Sequence, residues 1–77
     1  MYPLNRVSAG RYRIVKIATP CRSAQRRLMM LGVFEGDEID VIKSAPGPVI
    51  FEKNGTRIGM GQGPAAGIMV EQIKEDK

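Results

Sequence analysis

A chain of 77 residues, 43% of them hydrophobic and carrying a formal net charge of +4, can build one small domain with a single core and leaves little room for a deep catalytic cleft. One cysteine and no histidine exclude a disulfide framework, a zinc site of the usual Cys/His kind within one chain, and any Ser/His/Asp or Cys/His catalytic set. The composition thus argues against an enzyme and against a resident cofactor. The single cysteine suits a reducing cytoplasm, no apolar run reaches the ~18 residues of a membrane span, and nothing at the N-terminus reads as a signal peptide.

The whole chain, 1–77, reads as one domain with a core over about 4–73 and frayed ends at Met1–Pro3 and Lys74–Lys77. "YRIVKI", residues 12–17, is rich in β-branched and aromatic residues and predicts a first strand. "TPCRSAQRRLMMLG" then changes period: Cys21, Ala24, Leu28 and Leu31 fall on one helical stripe, with Thr19 as N-cap and Pro20 at the first helical position. Gly32 suits the left-handed residue that ends such a helix, and Val33 then folds back onto Leu28 in a Schellman ending. A turn at Glu35–Gly36–Asp37 enters a strand at Glu38–Ser44, and "APGP" at 45–48 turns the chain. "VIFEKNGTRIGM" predicts a hairpin with Asn54–Gly55 in a type I′ turn. "GQGPAAG" reads as a compact turn with room for one 3₁₀ turn, and "IMVEQI", 68–73, closes as a last strand. Five short strands and one inserted helix favour a small closed or nearly closed β-barrel.

Charge is laid out in blocks. Residues 1–27 carry seven basic side chains and no acid, whereas residues 28–52 carry Lys43 against Glu35, Asp37, Glu38, Asp40 and Glu52. Such blocks point to an electrostatic face for an acidic partner. The acids from Glu35 to Asp40 read as an exposed turn whose spacing does not match a calcium loop. Gly59, Gly61 and Gly63 do not make a phosphate loop, because no Gly-Lys-Ser/Thr and no long helix follow; they read as a tight corner where a side chain would strike backbone. Met29, Met30, Met60 and Met69 read as core filler or rim rather than a soft-metal site.

The helix carries the most information about function. With Leu28 at the centre of the buried stripe, ~100° per residue puts Arg26 and Met30 on the far side and Arg22 and Met29 between. Arg22 and Arg26 are like charges at i, i+4 in the N-terminal half of a helix, where both pair repulsion and the macrodipole oppose them. A sequence that keeps such cations beside methionines offers a composition favoured at interfaces.

Taken in order, "RRLMMLGVFEGDEIDVIKSAP", "NGTRIGM" and "AAGIMVEQI" resemble the ferrous iron transport protein A family, FeoA, over roughly residues 4–73. The pattern is a leucine-rich helix ending in Leu-Gly, a glycine turn into an alternating strand, an Ala-Pro turn, a Gly-x-Arg-Ile strand and an alanine pair before the last strand. The resemblance implies a mainly β fold, a small SH3-like five-stranded barrel with one helix inserted after the first strand. It also implies a non-enzymatic cytoplasmic accessory of ferrous iron uptake, docking on the cytosolic, GTPase-bearing region of a FeoB-type permease, with no direct membrane insertion of its own. Arg22, Arg26, Met29 and Met30 are the candidate docking residues, and self-association stays open. "APGPV" is shorter than the Ala-Pro-Leu-Gly-Asp-Pro form common in such domains, and "GMGQG" stands where charge is frequent. A rival reading is a basic barrel that binds nucleic acid; Tyr2, Tyr12, Phe34 and Phe51 are few, and most are needed inside rather than for base stacking. A weak transition-metal-binding iron-regulatory module is a third reading, short of ligands within one chain.

Overall fold

The computed structural model describes residues 1–73; the expected fraying at Lys74–Lys77 lies outside the described residues. In chain order the elements are β1 (Tyr2–Pro3), a 3₁₀ turn (Leu4–Arg6), β2 (Gly10–Ile17), α1 (Arg22–Met30), β3 (Glu38–Lys43), β4 (Val49–Lys53), β5 (Thr56–Met60), α2 (Gln62–Ala65) and β6 (Ile68–Gln72). The strands form one antiparallel sheet in the order β1-β6-β2-β3-β4-β5. The mainly β architecture with an inserted helix is as expected, with six strands rather than five. The extra one corrects the reading of Met1–Pro3 as frayed, since Tyr2 pairs with Val70 and Pro3 with Met69. Proline is tolerated there because β1 is an edge strand.

Each of the five longer strands sends two residues at i, i+2 into one core: Tyr12 and Ile14, Ile39 and Val41, Val49 and Phe51, Ile58 and Met60, Ile68 and Val70. Leu4, Val7, Leu28, Val33 and Ala65 complete it. Two bulges protect this alternation. Ile14 and Lys16 pair with the adjacent residues Val70 and Met69, so Val15 is the extra residue; Ile42 is the extra residue between Val41 and Lys43. Without them Lys16 and Lys43 would fall on the inner face. With them both lysines stay out, Ile17 packs on the core, and Val15 and Ile42 are left partly exposed.

The turns follow local chemistry. Asn54 and Gly55 both take positive φ, 51° and 82°, in the tight turn joining β4 and β5. At the end of α1, Gly32 has φ 77°, its N–H donates to the Met29 carbonyl, and the Val33 N–H donates to the Leu28 carbonyl. That is the Schellman pattern expected, with Leu28 and Val33 both buried. The "GQGPAAG" segment forms a single α-helical turn rather than a 3₁₀ one, and Gln62 Nε2 donates to the Ser44 carbonyl at 2.6 Å.

Four local expectations are corrected. The N-cap of α1 is Cys21, without a side-chain cap bond; Thr19 is buried, and its Oγ1 accepts instead from the Cys21 N–H at 3.3 Å. The cause is non-local, because Gly67 packs directly on the Thr19 backbone. A Cβ added at Gly67 would lie 2.5 Å from Thr19 Cα and 2.7 Å from its nitrogen. The steric corner is therefore Gly67 and not Gly59, Gly61 or Gly63, whose added Cβ atoms would meet at most an ordinary contact. Leu31 sits at the C-cap and is exposed, since Val33 takes the inward place after the Schellman turn; Cys21 and Ala24 are half-buried. Finally, only Tyr12 and Phe51 of the aromatics are buried, while Tyr2 and Phe34 stand out in solvent.

Candidate docking face

Helix α1 is held to the barrel at three places. Leu28, 1% exposed, is its one fully buried side chain. Its start is seated by Gly67 against Thr19, and Gln25 Nε2 donates to the Thr19 carbonyl at 2.6 Å. Its end is clasped by Lys53, at the end of β4, which donates to the Gly32 carbonyl and to Asp37 Oδ2 at 2.7 Å, and whose Nζ lies 5.9 Å from the Phe34 ring centroid. A lysine at a helix C-terminus also meets the negative end of the dipole.

With the inner side so fixed, Arg22, Arg26, Met29 and Met30 all face outward, and together with Gln25 they line one shallow depression of about 530 Å³. The structure therefore brings all four candidate residues together. Met29 and Met30 are 63% and 81% exposed. A second depression of about 460 Å³ adjoins it through Gln25 and Met29, and is otherwise lined by Ile17, Leu28, Val33, Phe34 and Glu35. Sequence reasoning passed over Gln25 and Phe34. Gln25 stands at i+3 from Arg22 and i−4 from Met29, so helical spacing alone places it on this face; Phe34 carries no such signal.

The charge blocks resolve into two populations. On the strands, the arginines are paired across the sheet: Arg11 pairs with Glu38 at 3.1 Å and Asp40 at 3.2 Å, Arg13 with Glu71 at 3.1 Å and Glu38 at 3.6 Å, and Arg57 with Glu52 at 2.7 Å. These follow the register, which sets Arg11 opposite Asp40, Arg13 opposite Glu38 and Glu71, and Glu52 opposite Arg57. The hydrogen bond to Glu38, then the charge of Asp40, raises the Arg11 pKa further. On α1, by contrast, Arg22, Arg26 and Arg27 make no ion pair among the described residues. The first turn of α1 holds no acid.

The acidic stretch is structural in detail. Glu35 Oε2 accepts from the Ile17 N–H at 2.9 Å, and Asp37 Oδ2 accepts from the Phe34 N–H at 2.7 Å as well as from Lys53. The Lys53 bond first, then the Phe34 N–H, holds the Asp37 carboxyl below its ordinary range. Cys21 Sγ lies 3.1 Å from Ser23 Oγ, and that hydrogen bond, followed by the Ala24 N–H, lowers the thiol pKa. Among the described residues no three His, Cys, Asp or Glu side chains are grouped to hold a metal ion, and no helix is long and apolar enough to cross a membrane.

A curled antiparallel sheet of this order with a helix after β2 is an SH3-like domain, and solved structures of FeoA proteins share it. The FeoA domain model matches residues 2–72, so the chain belongs to the FeoA family. It is 39% identical over 74 residues to a Methanocaldococcus jannaschii protein provisionally named Fe(2+) transport protein A, covering 96% of this chain and 90% of that one. It superposes on FeoA from Chlorobium tepidum with TM-score 0.81 at 31% identity, covering 97% of this chain and 73% of the other. It matches an iron uptake regulatory protein (FeoA) crystal structure with TM-score 0.78 at 31% identity, covering 94% and 96% of the two chains.

Proposed function

We propose that the chain is a non-enzymatic cytoplasmic accessory of ferrous iron uptake that docks on the cytosolic part of a FeoB-type permease through the outer face of α1. Family membership and the Fe(2+) transport name of its relative support the process. The observation that carries the docking face is the gathering of Arg22, Arg26, Met29 and Met30 around one depression, with the arginines lacking a counter-ion among the described residues. Arginine supplies bidentate bonds, and exposed methionine supplies adaptable apolar contact.

Calorimetric titration of the chain into the cytosolic domain of its cognate permease tests this. Wild type should bind, more weakly as salt rises, and Arg22→Glu with Arg26→Glu should cut affinity while leaving the fold intact. Unchanged binding by the folded double variant would move the docking face elsewhere. Binding to RNA or DNA with a steep salt slope, and none to the permease domain, would replace the reading with a nucleic-acid one.

A further inference from the structure

The two depressions on α1 lie side by side, meeting at Gln25 and Met29, and together make a groove with two chemically different ends. Arg22 and Arg26 bound one end. The other is floored by Leu28 and Val33, both core residues 1% exposed, and walled by Ile17 and by Phe34, which is 52% exposed. The one carboxylate lining the apolar end, Glu35, is turned to the Ile17 N–H and does not neutralise the arginines. Unoccupied, the surface leaves the apolar side chains of Phe34 and Met29 in water at one end and, among the described residues, unpaired cations at the other.

We infer that the groove takes an acidic amphipathic segment of a protein partner: one large apolar side chain seats against Phe34 and Met29, and carboxylates further along the segment meet Arg22 and Arg26. This names the chemistry of the partner segment and rests on the docking reading above. Guanidinium forks match carboxylates bidentately, and Met29 between the two ends adapts to whatever backbone crosses it. Three observations favour a peptide over other polyanions. The surface is concave, so a flat bilayer would leave both depressions unfilled. Among the described residues Phe34 is the only aromatic lining the groove, too few for a stacked strand of bases. The nine residues of α1 span ~13 Å at 1.5 Å per residue, the reach of one short helical or extended segment.

The test is selection from a random-peptide phage library on the intact chain, followed by anisotropy titration of the selected peptides. Wild type is compared with Arg22→Glu/Arg26→Glu and, separately, Met29→Gln, each checked for folding by its amide NMR spectrum. Selected sequences should combine Asp or Glu with Leu, Phe, Met or Trp, and should lose about tenfold or more in affinity against either variant. Replacing their acids by amides should cost as much. Neutral or basic selected sequences, acidic ones that bind the double variant equally, or no binder at all would overturn the inference. So would wild-type binding to phosphatidylglycerol-containing vesicles in preference to every selected peptide, which would assign the face to a lipid surface. If acidic peptides are selected but the permease domain does not bind, the permease reading fails and the groove chemistry stands. If the permease domain binds but only neutral peptides are selected, the permease reading stands and the groove chemistry fails.

Discussion

Arg11 and Arg13 on β2 belong to the same basic block as Arg22 and Arg26 on α1, yet they end in opposite circumstances. The antiparallel neighbours of β2 set Asp40 opposite Arg11, and Glu38 and Glu71 opposite Arg13. On α1 the residues three and four places from Arg22 and Arg26 are serine, glutamine, arginine and methionine, so no acid stands within helical reach. A run of positive charge is thus not itself a surface for an acidic partner. What counts is the cations left over once strand register has matched the others; among the described residues these are the three arginines of α1, with Arg6, Lys16 and Lys43 scattered elsewhere.

The sharpest way to break the contrast is to release the helix. Leu28→Ala should destabilise the protein by about 2–5 kcal/mol in urea unfolding, because Leu28 is the sole fully buried side chain of α1. Met30→Ala, 81% exposed, should stay within about 0.5 kcal/mol. Gly67→Ala should cost about 1–3 kcal/mol, since the new methyl group falls on the Thr19 backbone and one of the two segments must shift; Gly63→Ala, which meets nothing, should not.

The clasp at the other end of α1 predicts a pH effect. Asp37 has its folded pKa depressed, so its contribution is present above the unfolded value of ~3.9 and is lost as pH falls through the folded value. Asp37→Asn should lower stability by about 1 kcal/mol at neutral pH, with the urea midpoints of variant and wild type converging in acid. The smallest effect has the opposite sign. Arg22→Gln with Arg26→Gln should raise stability by about 0.3 kcal/mol by removing like charges at i, i+4 near a helix N-terminus. A measured loss would mean that these arginines have partners inside the molecule.

What could be read in the sequence was decided by nearest neighbours along the chain. Asn54–Gly55 and the Leu28–Gly32–Val33 ending are local chemistry, and both stand where expected. Arg22, Arg26, Met29 and Met30 were legible for the same reason, since helical period alone puts them on one face. The misses are contacts between distant segments. Thr19 looks like a cap until Gly67 is seen against it, and Tyr2–Pro3 has no alternation of its own, its pairing partner lying at Met69–Val70. The acids between Glu35 and Asp40 looked idle because their partners, Arg11, Arg13, Lys53 and the Ile17 N–H, come from other strands. Phe34 follows the Schellman turn, where neither helical nor strand period assigns a side.

Gly67 meets the backbone of Thr19 and not its side chain, so the first turn of α1 is seated without reference to the residues that α1 shows to solvent, Gln25 excepted. Positions 22, 26, 29 and 30 can then be rewritten as a set while the helix keeps its orientation. Such a mount lets a lineage exchange one partner for another by surface substitution alone. It also makes the domain a scaffold on which a foreign four-residue helical epitope can be transplanted, provided Gln25, Leu28 and Gly67 are left untouched.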